Sequence, residues 1–131
     1  TFNGHSTVLA AGMATMDVLE EPDTYPYLNR ITNRFRDGLN DLFERSAFEA
    51  IALGPGSTFN VIFSKECATS YRDCMHFDAR QREMFDYGLL ARGIHFHPDK
   101  PFYTCTEHTE EDVDRTLSAA EEVLKKMKGV L

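Results

Sequence analysis

At 131 residues, with 42% hydrophobic and 27% charged side chains, the chain fits one globular domain able to bury a core without staples. Its net charge of −7 argues against a nucleic-acid or anionic-membrane surface, and no apolar run reaches the length of a membrane span. Three widely spaced cysteines (Cys67, Cys74 and Cys105) form no CxxC pair, which points to reduced thiols in a cytoplasmic compartment rather than a disulfide scaffold.

The first predicted helix runs from Ser6 to about Glu20 and is apolar nearly all round, so it is expected to be buried on several sides. Pro22 breaks it, and Asp23 or Thr24 is placed to cap a second helix. Leu28, Ile31, Phe35, Leu39 and Leu42 lay one apolar stripe on that helix, opposite a face of Asn, Arg and Asp. "FEAIALGPGSTFNVIF" then reads as two strands around Gly54-Pro55-Gly56, with Phe59, Val61 and Phe63 alternating. Residues 64–77 carry no clear period. Asp78 is the expected N-cap of a third helix reaching about Arg92 and closed by Gly93.

Two short strands are predicted at 94–97 and 102–106, separated by Pro98-Asp99-Lys100-Pro101. In the last helix Thr109 and Asp112 have capping-box spacing, and Val113, Leu117, Ala120, Leu124 and Met127 form the buried stripe. Lys125, Lys126 and Lys128 suit its C-terminal end. The order predicts an α+β fold, a small antiparallel or mixed sheet covered by helices. The first helix is too apolar for that layer alone and implies a partner.

Local chemistry is sparse. Thr1 to Ser6 offers a hydroxyl ahead of a helix N-terminus, which can hold an anion, although an ordinary helix cap is the commoner use of such residues. Gly54 and Gly56 lack the Gly-Lys-Ser/Thr that a phosphate loop needs. His95 and His97, with Cys105 or His108, are zinc-ligand types without ligand spacing, so no metal is expected. Cys74 and His76 make a nucleophile–base pair only on paper. None of Lys65, Lys100, Lys125, Lys126 and Lys128 has an obvious desolvating pocket for Schiff-base chemistry. The residues alone describe an α+β domain without a self-contained active site, and a free-standing, non-catalytic interaction module is one reading of it.

The motifs add a second reading. "TFNGHSTVLAAGMATMDVLEE" resembles the Gly-Thr-x-x-Gly-Asn-Pro-Leu-x-x-Ala-Ala segment of class III aminotransferases, fold-type I enzymes that use pyridoxal 5′-phosphate (PLP). "GPGSTFNVIFS", "YRDCMHFD", "LLARGIHFHP" and "EHTEEDVDRTLSAAEEVLKKM" follow in the order of the C-terminus of the glutamate-1-semialdehyde 2,1-aminomutase branch. The resemblance covers essentially the whole chain.

It implies that residues 1–22 are a phosphate-contacting turn and connecting helix from a large domain, and 23–131 a C-terminal small domain. It implies that Thr1 contacts the cofactor phosphate across a homodimer, in a site shared between subunits. The substrate would be an amino acid or amino-aldehyde. The family's Schiff-base lysine, the aspartate on the pyridine nitrogen and the stacking aromatic precede this segment, so this chain alone is expected to be inactive. His5-Ser6 stands where the family has Asn-Pro. The substrate-facing Pro-Ser-Gln-Phe-Glu-Ala stretch is shortened to Pro98-Asp99-Lys100-Pro101-Phe102-Tyr103, so Lys100 would face an anionic substrate tail if it points inward.

Overall fold

A computed structural model describes residues 3–64, 70 and 72–129, with the backbone alone for 74 and 75. Among the described residues four helices and three strands follow in chain order: α1 (Ser6–Leu19), α2 (Thr24–Arg45), β1 (Ala50–Leu53), β2 (Thr58–Phe63), α3 (Ala79–Leu90), β3 (Phe102–Tyr103) and α4 (Glu110–Lys128). A single 3-10 turn, Asp73–His76, precedes α3. The expected α+β class holds, and the sheet is wholly antiparallel in the order β1-β2-β3.

The β1–β2 hairpin is set by its turn. A Cβ on Gly54 would stand 2.5 Å from the Cα of Phe59 and 2.6 Å from the carbonyl of Thr58, so only glycine lets the two arms close here. The resulting register pairs Ala52 with Val61 and Ala50 with Phe63, which turns Ala52, Phe59, Val61 and Phe63 to the buried face. Against that face α2 lays Ile31, Phe35, Leu39 and Phe43, and α3 lays Phe85 and Leu89. Phenylalanines carry the contact: Phe35 meets Phe59 edge-on at 5.0 Å, and Phe59 stacks on Phe102 at 5.3 Å.

The last helix seats against α2 and α3 with Val113, Ala120, Val123, Leu124 and Met127. Glycines permit both approaches, since a Cβ on Gly38 would stand 2.5 Å from Leu117 and one on Gly88 2.6 Å from Val123. Arg34–Asp114 and Arg30–Glu110 ion pairs stitch the solvent side of the α2–α4 contact. The Thr109–Asp112 capping box forms as its spacing predicts, with each residue's side chain bonded to the other's backbone N–H. Asp78 likewise caps α3 through the Gln81 N–H.

Several expectations are corrected. No strand forms at 94–97, and the expected 102–106 strand shrinks to two residues that pair with β2 rather than with 94–97. The reason lies at the end of α3, which stops at Leu90 rather than Arg92. Ile94 N–H donates to Leu89 and Gly93 N–H to Leu90, a Schellman closure with Gly93 at φ +80°. The chain that emerges finds the β2 edge already occupied, because Phe63 C=O accepts from the Asp78 N–H and Val61 C=O from Arg82. Phe96 stacks on Phe102 at 4.7 Å instead.

Neither Asp23 nor Thr24 caps α2. Asp23 already has helical dihedrals in place of the extended ones a cap residue adopts and makes no side-chain cap bond, and Thr24 donates its hydroxyl to the Val18 carbonyl. The first helix buries none of its residues, contrary to its composition. Its contact among the described residues is chiefly with α2, and Val8, Leu9, Met13 and Met16 are exposed.

Candidate functional site

Among the described residues a buried polar constellation joins α3, β2 and the 98–101 loop. On α3, Arg82 and Asp86 lie one turn apart and pair through Arg82 Nε, 2.8 Å from both carboxylate oxygens. Asp86 is 0% exposed and Arg82 7%. The remaining guanidinium donors reach Asn60 Oδ1 at 2.7 Å, the Val61 carbonyl, and the Lys100 carbonyl at 2.9 Å. Asp86 Oδ2 in turn accepts the Asp99 N–H at 2.7 Å. Arginine's planar fork suits this work, because it supplies several donors in fixed directions without losing charge. No buried side-chain nitrogen or oxygen among the described residues lacks a partner.

Burial pushes the Asp86 carboxyl above its ordinary value, against the pull of the Asp99 N–H and the Arg82 guanidinium. The loop above the pair is bent hard: Asp99 sits at φ +59°, and Lys100 N–H closes back on the His97 carbonyl at 3.2 Å. Asp tolerates the left-handed region better than most side chains. A cleft of about 410 Å³ opens beside it, lined by Arg82, Asp86, Tyr87, His97, Pro98 and Asp99. The Lys100 side chain itself is exposed.

A second cluster precedes α4. Cys105 is exposed, with its Sγ 3.1 Å from His108 Nδ1, and its own N–H donates to the same nitrogen at 3.0 Å. Tyr27 fastens this turn to α2 by donating to the His108 carbonyl at 2.7 Å. The sequence pairs Cys74 with His76 instead; the Cys74 side chain lies outside the described residues, as do Cys67 and Lys65, and His76 is exposed. Cys-x-x-His spacing just ahead of a capping box is the signal that marks Cys105 and His108. His95 and His97 are both exposed, and the described residues hold no group of three or more metal-ligand side chains. Lys125 pairs with Glu121 on the surface of α4.

Thr1 lies outside the described residues. The turn that follows it is described: Gly4 has φ +80°, and His5 stands at the N-cap of α1 without a side-chain cap bond. The first-turn N–H groups of α1 are therefore not satisfied by the His5 side chain.

This architecture has counterparts among solved structures. An omega-transaminase from Sphaerobacter thermophilus superposes over 98% of this chain with a TM-score of 0.87, at 22% identity. A β-phenylalanine aminotransferase from Variovorax paradoxus matches 79% of it with a TM-score of 0.73, at 24% identity. The fold is one that aminotransferases contain. The FumI protein of Sphingopyxis sp. MTA144, solved in its PLP internal aldimine form, matches 92% of this chain with a TM-score of 0.75 at 22% identity. The chain spans 30%, 24% and 27% of these three proteins respectively, so it corresponds to a part of each. No protein-family model matches the chain.

Proposed function

We propose that this chain is the C-terminal portion of a PLP-dependent class III aminotransferase. Residues 1–22 connect to a large cofactor domain, and residues 23–131 form the small domain beside the substrate. The observation that carries this reading is the superposition on the omega-transaminase over nearly the whole chain, the unburied α1 included. A helix exposing Val8, Leu9, Met13 and Met16 fits a connector whose apolar surface is covered by another domain or subunit. It fits a free-standing interaction module less well.

The cofactor supplies an electron sink for chemistry at the amino-bearing carbon, and the protein supplies binding and orientation. On this reading Thr1 donates its hydroxyl to the cofactor phosphate from the neighbouring subunit of a homodimer. The donors at the start of α1 that the His5 side chain leaves uncapped suit a phosphate dianion. Lys100, at the tip of the 98–101 loop, gives the substrate's carboxylate a cationic partner. The catalytic lysine belongs to the preceding part of the protein.

The motif "HTEEDVDRTLSAAEEVL" favours a second reading, 1,2-migration of an amino group as in the glutamate-1-semialdehyde aminomutase branch. One experiment tests both. The full reading frame that contains this chain is expressed and assayed with an amino-acid donor, with and without a 2-oxo-acid acceptor, and with an amino-aldehyde alone. Transfer requires the acceptor, and migration proceeds on one substrate. A protein that takes up no PLP and turns over neither refutes the proposal and returns the interaction module.

A further inference from the structure

Both edges of the β1–β2 hairpin are closed at the same residue pair. On the β1 side the Asn40 amide takes the N–H and carbonyl of Ala52; on the β2 side Val61, its register partner, is met by Asn60 and Arg82. On the β2 side the closure does more than cover an edge. The same guanidinium that donates to the Val61 carbonyl at the sheet edge also donates to the carbonyl of Lys100, and the carboxylate it neutralises accepts the N–H of Asp99. Two consecutive residues of an exposed loop are therefore fixed by a buried pair on a helix. One is held by its donor and the other by its acceptor.

We propose that Arg82 and Asp86 are positioning residues for the 98–101 loop: they fix the backbone of Asp99 and Lys100, and so determine where the Lys100 ammonium stands toward an anionic group of the substrate. Three features separate this from a pair that only fills the core. Two of the pair's three side-chain contacts to backbone fall on the loop, beyond the helix that carries the pair. The loop holds a left-handed Asp99, a conformation that an untethered loop leaves readily. The geometry also leaves the Lys100 side chain at the surface while its backbone is pinned from below.

The inference rests on the proposed aminotransferase function, and the test separates the two. In the full-length protein, Asp86→Asn and Arg82→Lys are compared with wild type on an amino acid and on the amine that lacks its carboxylate. Bound-cofactor absorbance and Tm are read on the same samples. We expect KM for the amino acid to rise about tenfold or more, as small misplacements of a binding group do. We expect kcat, cofactor absorbance and KM for the amine to stay within about twofold. Lys100→Ala should produce the same KM change, and adding Asp86→Asn to it should produce no more.

An unchanged KM for the amino acid, or an equal rise for both substrates, overturns the positioning role while leaving the function intact. A wild-type protein without PLP uptake overturns the function, and the substrate role of the loop with it. Should both substitutions prevent folding, wild-type amide exchange decides. Protection of the Asp99 N–H comparable to the interior of α3 supports the tether, and exchange at the rate of an open loop refutes it.

Discussion

Replacing Asn40 by Ala should weaken the fold by more than an exposed-face position of an amphipathic helix would suggest. Its amide donates to the Ala52 carbonyl at 3.1 Å and accepts the Ala52 N–H at 2.7 Å, standing in for the strand that β1 lacks on that side. Ala52 is only 2% exposed, so water does not easily replace either bond. Two hydrogen bonds at about 1 kcal/mol each set the gross loss at about 2 kcal/mol. Ala is a better helix former than Asn by roughly 0.6 kcal/mol, which leaves a net loss of about 1.5 kcal/mol. For a chain of this size that lowers Tm by roughly 6 °C. Urea titration followed by far-UV circular dichroism measures it, with the midpoint shifting at constant m. Asn40→Asp keeps the acceptor but turns a carboxylate toward the Ala52 carbonyl, so it should cost at least as much as Ala. A loss below about 0.5 kcal/mol for Asn40→Ala would show that the edge needs no plug, and would refute the reasoning.

Gly54→Ala should be severely destabilising, by about 3 kcal/mol or more, because the new methyl meets the Phe59 backbone and not a yielding side chain; a stable, well-dispersed variant in a thermal melt would contradict it. The Thr109 backbone N–H, and then its hydroxyl, hold Asp112 below the usual carboxylate range. The capping box therefore contributes stability at and above the ordinary carboxylate pKa and loses it as pH falls through the depressed one. Protection of the Thr109 amide should drop in that acidic window in wild type, and be low at every pH in Asp112→Ala. Leu9→Lys with Met13→Glu should leave the unfolding free energy of this chain, from urea titration, unchanged within about 0.5 kcal/mol, since α1 has no buried residue. In the full-length protein the same pair should disrupt assembly, read by size-exclusion chromatography; an unaffected assembly would argue against a connector role.

Much of this was legible because local rules agree with the fold. Thr109 and Asp112 bond as their spacing requires, and the Leu28–Ile31–Phe35–Leu39 stripe of α2 faces the core, with Phe43 taking the last place ahead of the half-buried Leu42. What stayed hidden depended on partners far along the chain. Asn40 belongs to a polar face by period, and nothing local shows that β1 will present Ala52 to it. Arg82 and Asp86 have the spacing of a common surface pair, yet both are buried because the 98–101 loop folds over them. The strand expected at 94–97 fails for another long-range reason, as the edge it would need is already taken by the Asp78 N–H and the Arg82 guanidinium. For the candidate site the resemblance marked Lys100 and its loop, but the tether beneath it emerged only from the packed structure.

The central claim, that this chain is part of a PLP-dependent aminotransferase, is most directly tested by cofactor binding to the full-length protein. The purified protein is saturated with PLP, freed of excess by gel filtration, and scanned in the visible before and after an amino donor is added. The account predicts a bound chromophore near one per subunit that bleaches with the donor and returns with a 2-oxo acid. A colourless protein, or a colour indifferent to both additions, would contradict it.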